Sequence, residues 1–204
     1  MSTKVYDIIA KDFARTRIFT WKWTDNFIKD IPKGSTILDI GCGNGRNLHY
    51  PSMIMYGIDI SIEQLKNFPQ GTKSEAECNQ SYNLVHSNMI SIPFRSNIFD
   101  YILVIASFHH LNTLEERKYC LREMNRVLKP GGKILLSVWS IIQPKKTKRT
   151  FSHYGDTIVY WKNIPRYYYI FEVGEIKELL QQYFYIESHI WDCGNEIFTI
   201  IKNN

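Results

Sequence analysis

Apolar and polar residues follow two different spacings along this chain. Apolar side chains recur at helical intervals through residues 5–14 and 20–30, which predicts two helices. After the break at residues 32–35, short apolar runs typical of buried strands alternate with helical segments. In order, these are the strand TILDIG, a turn or short helix at RNLHY, the strand MIMYGIDIS, the helix SIEQLKNF, the strands SYNLVHSN and FDYILVIASF, the helix LEERKYCLREMNRVL and the strand KILLSVWS. The alternation predicts an α/β fold with a doubly wound, mostly parallel sheet.

Two helix ends carry recognisable signals. Ser61 begins the helix SIEQLKNF, and Gln64 stands at the position of a capping box. The glycine-containing stretch KPGG, residues 129–132, is typical of a helix end. Both signals support the predicted order of helices and strands.

The regular alternation ends after Ser140. Residues 143–171 are polar, basic and aromatic, without a clear period, and the helix GEIKELLQQY follows them. YIESHIWD and EIFTIIKN then predict an antiparallel hairpin around residues 193–195. We expect a single domain over residues 1–204, with an N-terminal helical lid (1–34), a core (35–140), and an insertion with a closing hairpin (141–204).

Composition narrows the class of protein only slightly. The 204 residues suit one domain, and a net charge of +5 permits an anionic partner such as RNA without requiring one. No run approaches the roughly 20 apolar residues of a membrane span, and the N-terminus lacks the apolar core of a signal peptide. None of the four cysteines (Cys42, Cys78, Cys120 and Cys193) forms a C-x-x-C pair, so we expect neither a metal site nor a disulfide framework. The composition therefore predicts a cytoplasmic or nuclear protein.

A glycine-rich turn follows the first predicted strand. Gly41, Gly43 and Gly45 form G-x-G-x-G, which differs from the dinucleotide pattern G-x-G-x-x-G. Asp39 precedes the turn, and Asp59 ends the second strand, where a carboxylate can accept both ribose hydroxyls. An acid before the turn fits the cationic amino-acid end of S-adenosylmethionine better than a pyrophosphate, which needs a free helix N-terminus.

Four stretches in this order resemble the successive motifs of class I S-adenosylmethionine-dependent methyltransferases: ILDIGCGNG, YGIDIS, IPFRSNIFDYILVIASFHHL and RVLKPGGKILLSVW. The resemblance covers residues 35–140. It implies a seven-stranded Rossmann-like sheet that closes with a C-terminal antiparallel hairpin, and S-adenosylmethionine as cofactor. The cofactor-binding residues it implies are Asp39, Gly41, Gly43, Gly45, Asp59, Ile60, Asn88, Met89 and Ala106. Asn88 stands where this class usually has Asp, and its amide oxygen can still accept from the adenine amino group.

A finer resemblance extends over nearly the whole chain. VYDIIAKDFARTRIFTW, SFHHLNTLEERKYCLREMNRVLKPGGKILLSVWSIIQ and PRYYYIFEVGEIKELL together resemble the tRNA wobble-uridine carboxymethyl methyltransferases. The implied reaction esterifies the carboxylate of 5-carboxymethyluridine to give 5-methoxycarbonylmethyluridine. Because a carboxylate with a pKa of about 4 is already ionised at pH 7, no general base is expected. Catalysis should then rest on positioning and desolvation.

The same resemblance implies the substrate-positioning residues His109, Arg17, Trp139, Arg166 and Tyr167. His110 is the alternative to His109, and Tyr6 and Thr16 are further lid candidates. The basic stretch KKTKR, Lys145 to Arg149, is expected to contact tRNA phosphates.

A heterodimer is also implied. The partner is a small zinc-binding activator protein that adds a strand at the exposed edge near Tyr82–Ser87, because an uncovered edge strand invites pairing. The zinc would belong to that partner.

Other interpretations remain open at this point. A small-molecule methyltransferase of the quinone or sterol type would share the core motifs, and a non-catalytic cofactor-binding scaffold subunit would share the fold. An NAD-dependent oxidoreductase is less compatible, since both the G-x-x-G spacing and a Tyr-x-x-x-Lys relay are absent from the expected places.

Overall fold

The computed structural model describes residues 3–68, 83–147 and 150–203. The helices are α1 (Thr3–Ala14), α2 (Lys22–Lys29), α3 (Ile62–Lys66), α4 (Leu114–Val127) and α5 (Val173–Gln181), with a 3₁₀ turn at Phe108–His110. The strands are β1 (Thr36–Ile40), β2 (Ile54–Asp59), β3 (Asn83–His86), β4 (Phe99–Ile105), β5 (Leu128–Trp139), β6 (Gly155–Trp161), β7 (Ile164–Ile170), β8 (Phe184–Asp192) and β9 (Asn195–Lys202).

Seven of the described strands form one sheet in the order β3-β2-β1-β4-β5-β9-β8. The first five strands of that order pair in parallel, while β9 is antiparallel to both β5 and β8. The predicted doubly wound, mostly parallel seven-stranded sheet with a terminal antiparallel hairpin is confirmed. The described residues of β3 lie at one edge of this sheet, as expected; Tyr82 lies outside the described residues.

Alternate residues of the central strands pack on opposite faces of the sheet. Leu38 and Ile40 belong to the core beneath α4 and α5, whereas Ile37 belongs to the core beneath α2. Because both faces are covered, these strands are apolar along almost their whole length. In the described part of the chain, no helix combines the length and apolar character needed to cross a bilayer.

One hairpin was missed in the sequence. β6 and β7 form a separate antiparallel sheet within the segment for which no period was found. Ile158 and Tyr160 are exposed on β6, where polar residues would normally mark the outer face of a strand. The apolar–polar alternation that identifies a half-buried strand is therefore absent from its sequence.

The interpretation of KPGG as a helix end was wrong in detail. α4 ends at Val127 and Leu128 is already extended, so residues 129–132 form the irregular start of β5. The pairing of β4 with β5 shifts register at this place, between Phe99 and Tyr101. A glycine at positive φ serves a bend in a strand as well as a helix cap, and the sequence pattern alone does not separate the two uses.

Candidate active site

A cavity of about 430 Å³ lies at the carboxyl ends of the parallel strands, where doubly wound sheets bind ligands. Residues predicted for the site divide into two groups. Those that line the cavity are Arg17, Gly41, Gly43, Asp59, Ile60, Met89, Ala106 and Trp139, together with Tyr6 and Thr16. Those outside its lining are Asp39, Gly45, Asn88, His109, Arg166 and Tyr167. The cavity is also lined by Asn47, Gln64, His110 and Tyr168, which were not among the main predictions.

The glycine turn after β1 is held rigidly against its neighbours. Gly41 has φ of 72°, and a Cβ there would lie 2.5 Å from the Cβ of Ser107, so no larger residue fits. The N–H of Gly43 donates to Asp59 Oδ2 at 2.8 Å, and the N–H of Ser61 donates to Asp59 Oδ1 at 2.8 Å. Burial raises the pKa of Asp59, although these two hydrogen bonds oppose the rise. Asp59 therefore organises the turn as well as facing the cavity.

Asp39 is fully buried at the end of β1. Its Oδ2 accepts a hydrogen bond from Asn47 Nδ2 at 3.2 Å, and its Oδ1 finds no partner among the described residues. Burial raises the pKa of Asp39 to about 7, while the Asn47 hydrogen bond and the nearby Arg46 cation act in the opposite direction. The carboxyl group is thus poised to lose its proton when a cation is bound beside it.

The residues around the cavity fit S-adenosylmethionine. Buried polar atoms normally have hydrogen-bond partners, yet Asn47 Oδ1 and both polar atoms of the Gln64 side chain have none within the described part of the chain. Both residues line the cavity beside Asp59. The cationic amino group, the carboxylate and the ribose hydroxyls of the cofactor would supply partners of the required kinds.

Asn88 is placed differently from Met89. Met89 is buried and lines the cavity, whereas the side-chain oxygen of Asn88 accepts from the N–H of Ile90 at 3.2 Å within its own turn. An adenine contact by Asn88 would need the second lone pair of that oxygen.

The segment predicted to act as a lid is fastened to the core at several points. Asn44 Nδ2 donates to the carbonyl of Arg17 at 3.1 Å, which ties the lid to the glycine turn. Ser61 Oγ donates to Asp7 Oδ1 at 2.6 Å, so α1 also caps α3. On the other side, Lys162 forms an ion pair with Asp12 and joins the lid to the β6–β7 hairpin.

Two stacked aromatic rings, Trp139 and Tyr168, form one wall of the cavity. Trp139 and Tyr168 stack with ring centroids 4.1 Å apart and planes 9° apart. Strand alternation places Arg166 and Tyr168 on the inner face of β7, while Tyr167 lies on the other face and donates to Asp156 Oδ1 at 2.6 Å. Three consecutive tyrosines gave no sign of this register, so Tyr167 was selected and Tyr168 was not.

The two histidines also occupy different positions. His109 is fully buried behind the wall, and its Nδ1 accepts from the backbone N–H of Trp139 at 3.1 Å. His110 lines the cavity: its Nδ1 lies 2.9 Å from the carbonyl of Tyr167, and the Tyr6 hydroxyl lies 2.9 Å from Nδ1 and 3.0 Å from Nε2. Because a carbonyl only accepts, Nδ1 carries the proton and Nε2 accepts from Tyr6. Burial lowers the pKa of His110 to about 3, so this histidine is neutral at physiological pH.

Two arginines meet between the lid and the β6–β7 hairpin. Arg166 is 4% exposed, and its Nε and Nη1 have no hydrogen-bond partner among the described residues. Its guanidinium carbon lies 5.1 Å from the Tyr168 ring centroid and 5.9 Å from that of Phe13. Arg17 lies over the same Phe13 ring at 4.5 Å, and burial together with the Arg166 cation lowers the pKa of Arg17. Two cations next to the cavity, one of them buried with unpartnered donors, favour an anionic ligand.

Comparisons with known proteins show which family the chain belongs to. The family described as "Methyltransferase domain" matches residues 38–136. A protein of Encephalitozoon cuniculi that is classed as a methyltransferase is 33% identical over 185 residues, which cover 86% of this chain and 82% of that protein. The tRNA (carboxymethyluridine(34)-5-O)-methyltransferase of Schizosaccharomyces pombe is 33% identical over 205 residues, with 87% of this chain and 85% of that protein covered. Its Arabidopsis thaliana counterpart is 36% identical over 141 residues, and only 33% of that longer protein is covered.

Solved structures share the fold. A SAM-dependent methyltransferase from Methanosarcina mazei superposes with a TM-score of 0.73 at 20% identity, covering 91% of this chain and 99% of that one. A methyltransferase solved in complex with the Haloferax volcanii Trm112 methyltransferase activator superposes with a TM-score of 0.70 at 15% identity, covering 98% of both chains.

The fold, the glycine turn with its two carboxylates, and the matching domain family define an S-adenosylmethionine-dependent methyltransferase. The similarity to the Schizosaccharomyces pombe enzyme, which extends over most of both chains, identifies the family within this class. This chain belongs to the tRNA (carboxymethyluridine(34)-5-O)-methyltransferase family.

Proposed function

We propose that this protein methylates the carboxylate of 5-carboxymethyluridine at the wobble position of tRNA, giving the ester 5-methoxycarbonylmethyluridine. The relatives that carry this activity in their names support the substrate. The observation in this molecule that carries the proposal is the buried Arg166 guanidinium with its unpartnered donors, next to Arg17 at the cavity. An uncharged acceptor would leave that buried charge uncompensated, whereas a carboxylate neutralises it.

The cofactor side of the site has defined roles in this proposal. Bound S-adenosylmethionine supplies a methyl group on a sulfonium centre. Asp39 would hold its amino group directly or through water, Asp59 would accept from the ribose hydroxyls, and Gln64 and Asn47 would pair with the remaining polar groups. Ile60, Met89 and Ala106 give the apolar surface against which the adenine packs, since all three line the cavity.

The acceptor side works by positioning. Trp139 and Tyr168 form the surface for the uracil ring, with His109 behind Trp139 and the lid excluding water. Arg17, which lines the cavity, orients the carboxylate together with Arg166, which lies beside Arg17 just outside the cavity lining. Because that carboxylate loses its charge on methylation, strong pairing of both oxygens would favour the ground state. We therefore expect the arginines to bind one oxygen and to leave the other for in-line attack.

No proton has to move in this mechanism, because the acceptor is ionised at pH 7. His110 fits that requirement: it is neutral, and its fixed tautomer orients the Tyr6 hydroxyl at the cavity. His110 and Tyr6 are positioning residues here, and residues 1–34, 35–140 and 141–204 act as lid, cofactor core, and substrate insertion with closing hairpin.

The proposal includes a protein partner. We infer that a small zinc-binding activator pairs with the edge strand β3 and forms a heterodimer with this protein. The structural neighbour solved in complex with the Haloferax volcanii Trm112 methyltransferase activator supports a partner of this kind. Since the substrate is tRNA, we expect the complex to work in the cytoplasm or the nucleus. Co-expression with such an activator should yield one stoichiometric complex. The N–H of Ser87 donates inward to the carbonyl of Asp59, so strand alternation turns the N–H of the preceding His86 to the open edge, and proline at His86 should weaken the complex.

The decisive experiment measures the ester directly. The protein, with and without the activator, is incubated with S-adenosylmethionine and tRNA that carries 5-carboxymethyluridine, and the nucleosides are analysed by mass spectrometry. We expect the methyl ester with this tRNA and none with tRNA that carries unmodified uridine. If the complex forms and still makes no ester, the proposed substrate is wrong. Asp59→Ala, which removes an acceptor of ribose hydroxyls and the hydrogen bonds to the Gly43 and Ser61 N–H groups, should abolish cofactor binding.

A neutral analogue tests the role of Arg166. tRNA carrying 5-carbamoylmethyluridine has the same shape but no charge at the acceptor group. We expect the wild-type protein to bind the carboxylate form at least about tenfold more tightly, and Arg166→Gln to lose this preference. An unchanged preference in Arg166→Gln would assign carboxylate recognition to other residues.

A further inference from the structure

An aromatic ring stands unusually exposed at the cavity. Phe19 lines the cavity, yet 84% of it is exposed, more than any other large apolar residue in the described part of the chain. Folded proteins usually bury a phenylalanine, because its transfer from water is worth about 1.5–3 kcal/mol. A phenylalanine presented to solvent at a ligand site therefore points to a binding role.

The backbone on both sides of Phe19 is fastened. The carbonyl of Arg17 accepts from Asn44 Nδ2 at 3.1 Å, and the Arg17 N–H donates to the carbonyl of Ala14 at 3.1 Å. On the other side, Thr20 Oγ1 donates to Asp25 Oδ1 at 2.8 Å. Tyr50 also donates to that carboxylate, so Asp25 is engaged from two directions. The ring is therefore displayed by an anchored loop, and Ile18 next to it is also exposed.

The chain on both sides of Phe19 is basic. Lys11, Arg15 and Lys22 precede and follow it in the chain, and all three are exposed. The acids nearby are already engaged, Asp12 with Lys162 and Asp25 with its two hydroxyl donors. We call Phe19 with Lys11, Arg15 and Lys22 the lid rim. An aromatic ring among cations is the combination that binds single-stranded nucleic acid, since bases stack on the ring and phosphates pair with the charges.

We propose that Phe19 stacks on the base of a nucleotide adjacent to the acceptor uridine, while the cations of the lid rim bind the flanking phosphates. The inference rests on the proposed function, in which the acceptor nucleotide occupies the cavity. With the acceptor base against Trp139 and Tyr168, a neighbouring base of a single-stranded loop is the next stackable group at the mouth. The site then recognises an RNA chain and not merely a modified nucleoside, and stacking there is tolerant of base identity.

A fluorescent base tests the stacking directly. 2-Aminopurine is placed on the 5′ side, and in a second RNA on the 3′ side, of the acceptor position in an anticodon stem-loop. Binding of the full chain should quench one of the two probes, because stacking on an aromatic ring quenches 2-aminopurine. Phe19→Ala should abolish the quenching and lower the affinity for the stem-loop about tenfold, the order expected for one base–aromatic stack. Phe19→Trp should retain both.

The matched control is Ile18→Ala, which removes a similarly exposed apolar side chain next to Phe19 but outside the cavity lining. It should leave quenching, affinity and cofactor binding unchanged. Absence of quenching with the wild-type chain, or equal behaviour of Phe19→Ala and Ile18→Ala, overturns the inference. If Phe19→Ala no longer binds the activator, Phe19 is a protein contact, and if it binds the cofactor more weakly, Phe19 is a structural residue. Either result also overturns the inference.

The two proposals can fail separately. Quenching that depends on Phe19 but is accompanied by no ester formation would leave the RNA site standing and refute the acceptor. Ester formation that Phe19→Ala leaves unchanged, with no quenching, would refute only the stacking.

Discussion

Asp39 is the single residue whose ionisation should govern cofactor binding. Its pKa of about 7 lies above the ordinary value of 3.8, because the carboxyl group is fully buried. Below pH 7 the group is protonated in the ligand-free protein and cannot pair with a cationic amino group. We therefore expect the affinity for S-adenosylmethionine to fall as the pH drops below 7, by up to tenfold per unit. Titration calorimetry between about pH 5 and 8.5 measures this.

Asp39→Asn is the matching variant. It should bind the cofactor weakly at every pH and lose the transition near 7. His110 is not expected to contribute to this transition, since its pKa is about 3. A transition that persists in Asp39→Asn would assign the titration to another group, such as Asp59.

The same group makes the ligand-free fold pH-dependent. A carboxyl group whose pKa is raised on folding stabilises the fold fully below its unfolded pKa of 3.8, and that stabilisation is lost as the pH rises through 7. At 1.36 kcal/mol per pKa unit, the loss is about 4 kcal/mol at most. Asp39→Asn should therefore melt higher than the wild-type protein at pH 8, and the advantage should vanish at pH 4. Calorimetric melting at both pH values tests the sign.

At the scale of elements, α1 depends on α3. Asp7 on α1 accepts from Ser61 Oγ at 2.6 Å and from the Glu63 N–H at 3.3 Å, so one carboxylate caps α3 and fastens the lid. Asp7→Ala should lower the free energy of unfolding by about 1–2 kcal/mol and increase amide exchange in α1. Asp7→Asn keeps an acceptor oxygen and should lose less. Equal losses in the two variants would show that the charge, not the hydrogen bonds, holds the lid.

The β6–β7 hairpin shows why elements are harder to predict at a binding surface. Its outer face carries Ile158 and Tyr160 where water would favour polar residues. Its inner face buries Arg166, a residue that patterns assign to the surface. Both departures weaken the usual strand signal, and they occur where the protein is expected to contact its substrate.

At the scale of the whole molecule, the net charge of +5 should steer tRNA to the protein. Lys145 and Lys146 are exposed members of the basic stretch; Lys148 and Arg149 lie outside the described residues. If both lysines contact phosphates, tRNA affinity should fall as the salt concentration rises. Replacing both by alanine should reduce the slope of log affinity against log salt concentration by about 1.4–1.8. Filter binding across a salt series measures the slope. An unchanged slope would remove these two lysines from the RNA contact surface.

The sequence was sufficient for the order of the sheet and the cofactor turn, because both depend on local patterns. Apolar runs determine buried strands, and the turn needs glycine at positions 41 and 45, because a Cβ at either position would collide with a neighbouring side chain. The sequence was less informative about which residues line the acceptor side of the cavity. Arg166 and Trp139 were selected from a resemblance, while Tyr168 and His110, which line the cavity, were passed over in favour of their neighbours.

These neighbouring residues were confused because side chains alternate along a strand with a period of two residues. A strand turns successive side chains to opposite faces, so an error of one residue exchanges Tyr167, bonded to Asp156, for Tyr168, stacked on Trp139. By itself, the sequence determined that this protein is a methyltransferase built on a doubly wound sheet, because those signals lie within single segments. Only the tertiary structure decided which side chains face the cavity and that Phe19 is displayed at its mouth. Those properties arise where the lid, the glycine turn and a late hairpin meet across more than 100 residues of sequence, as in the Tyr6–His110 hydrogen bond.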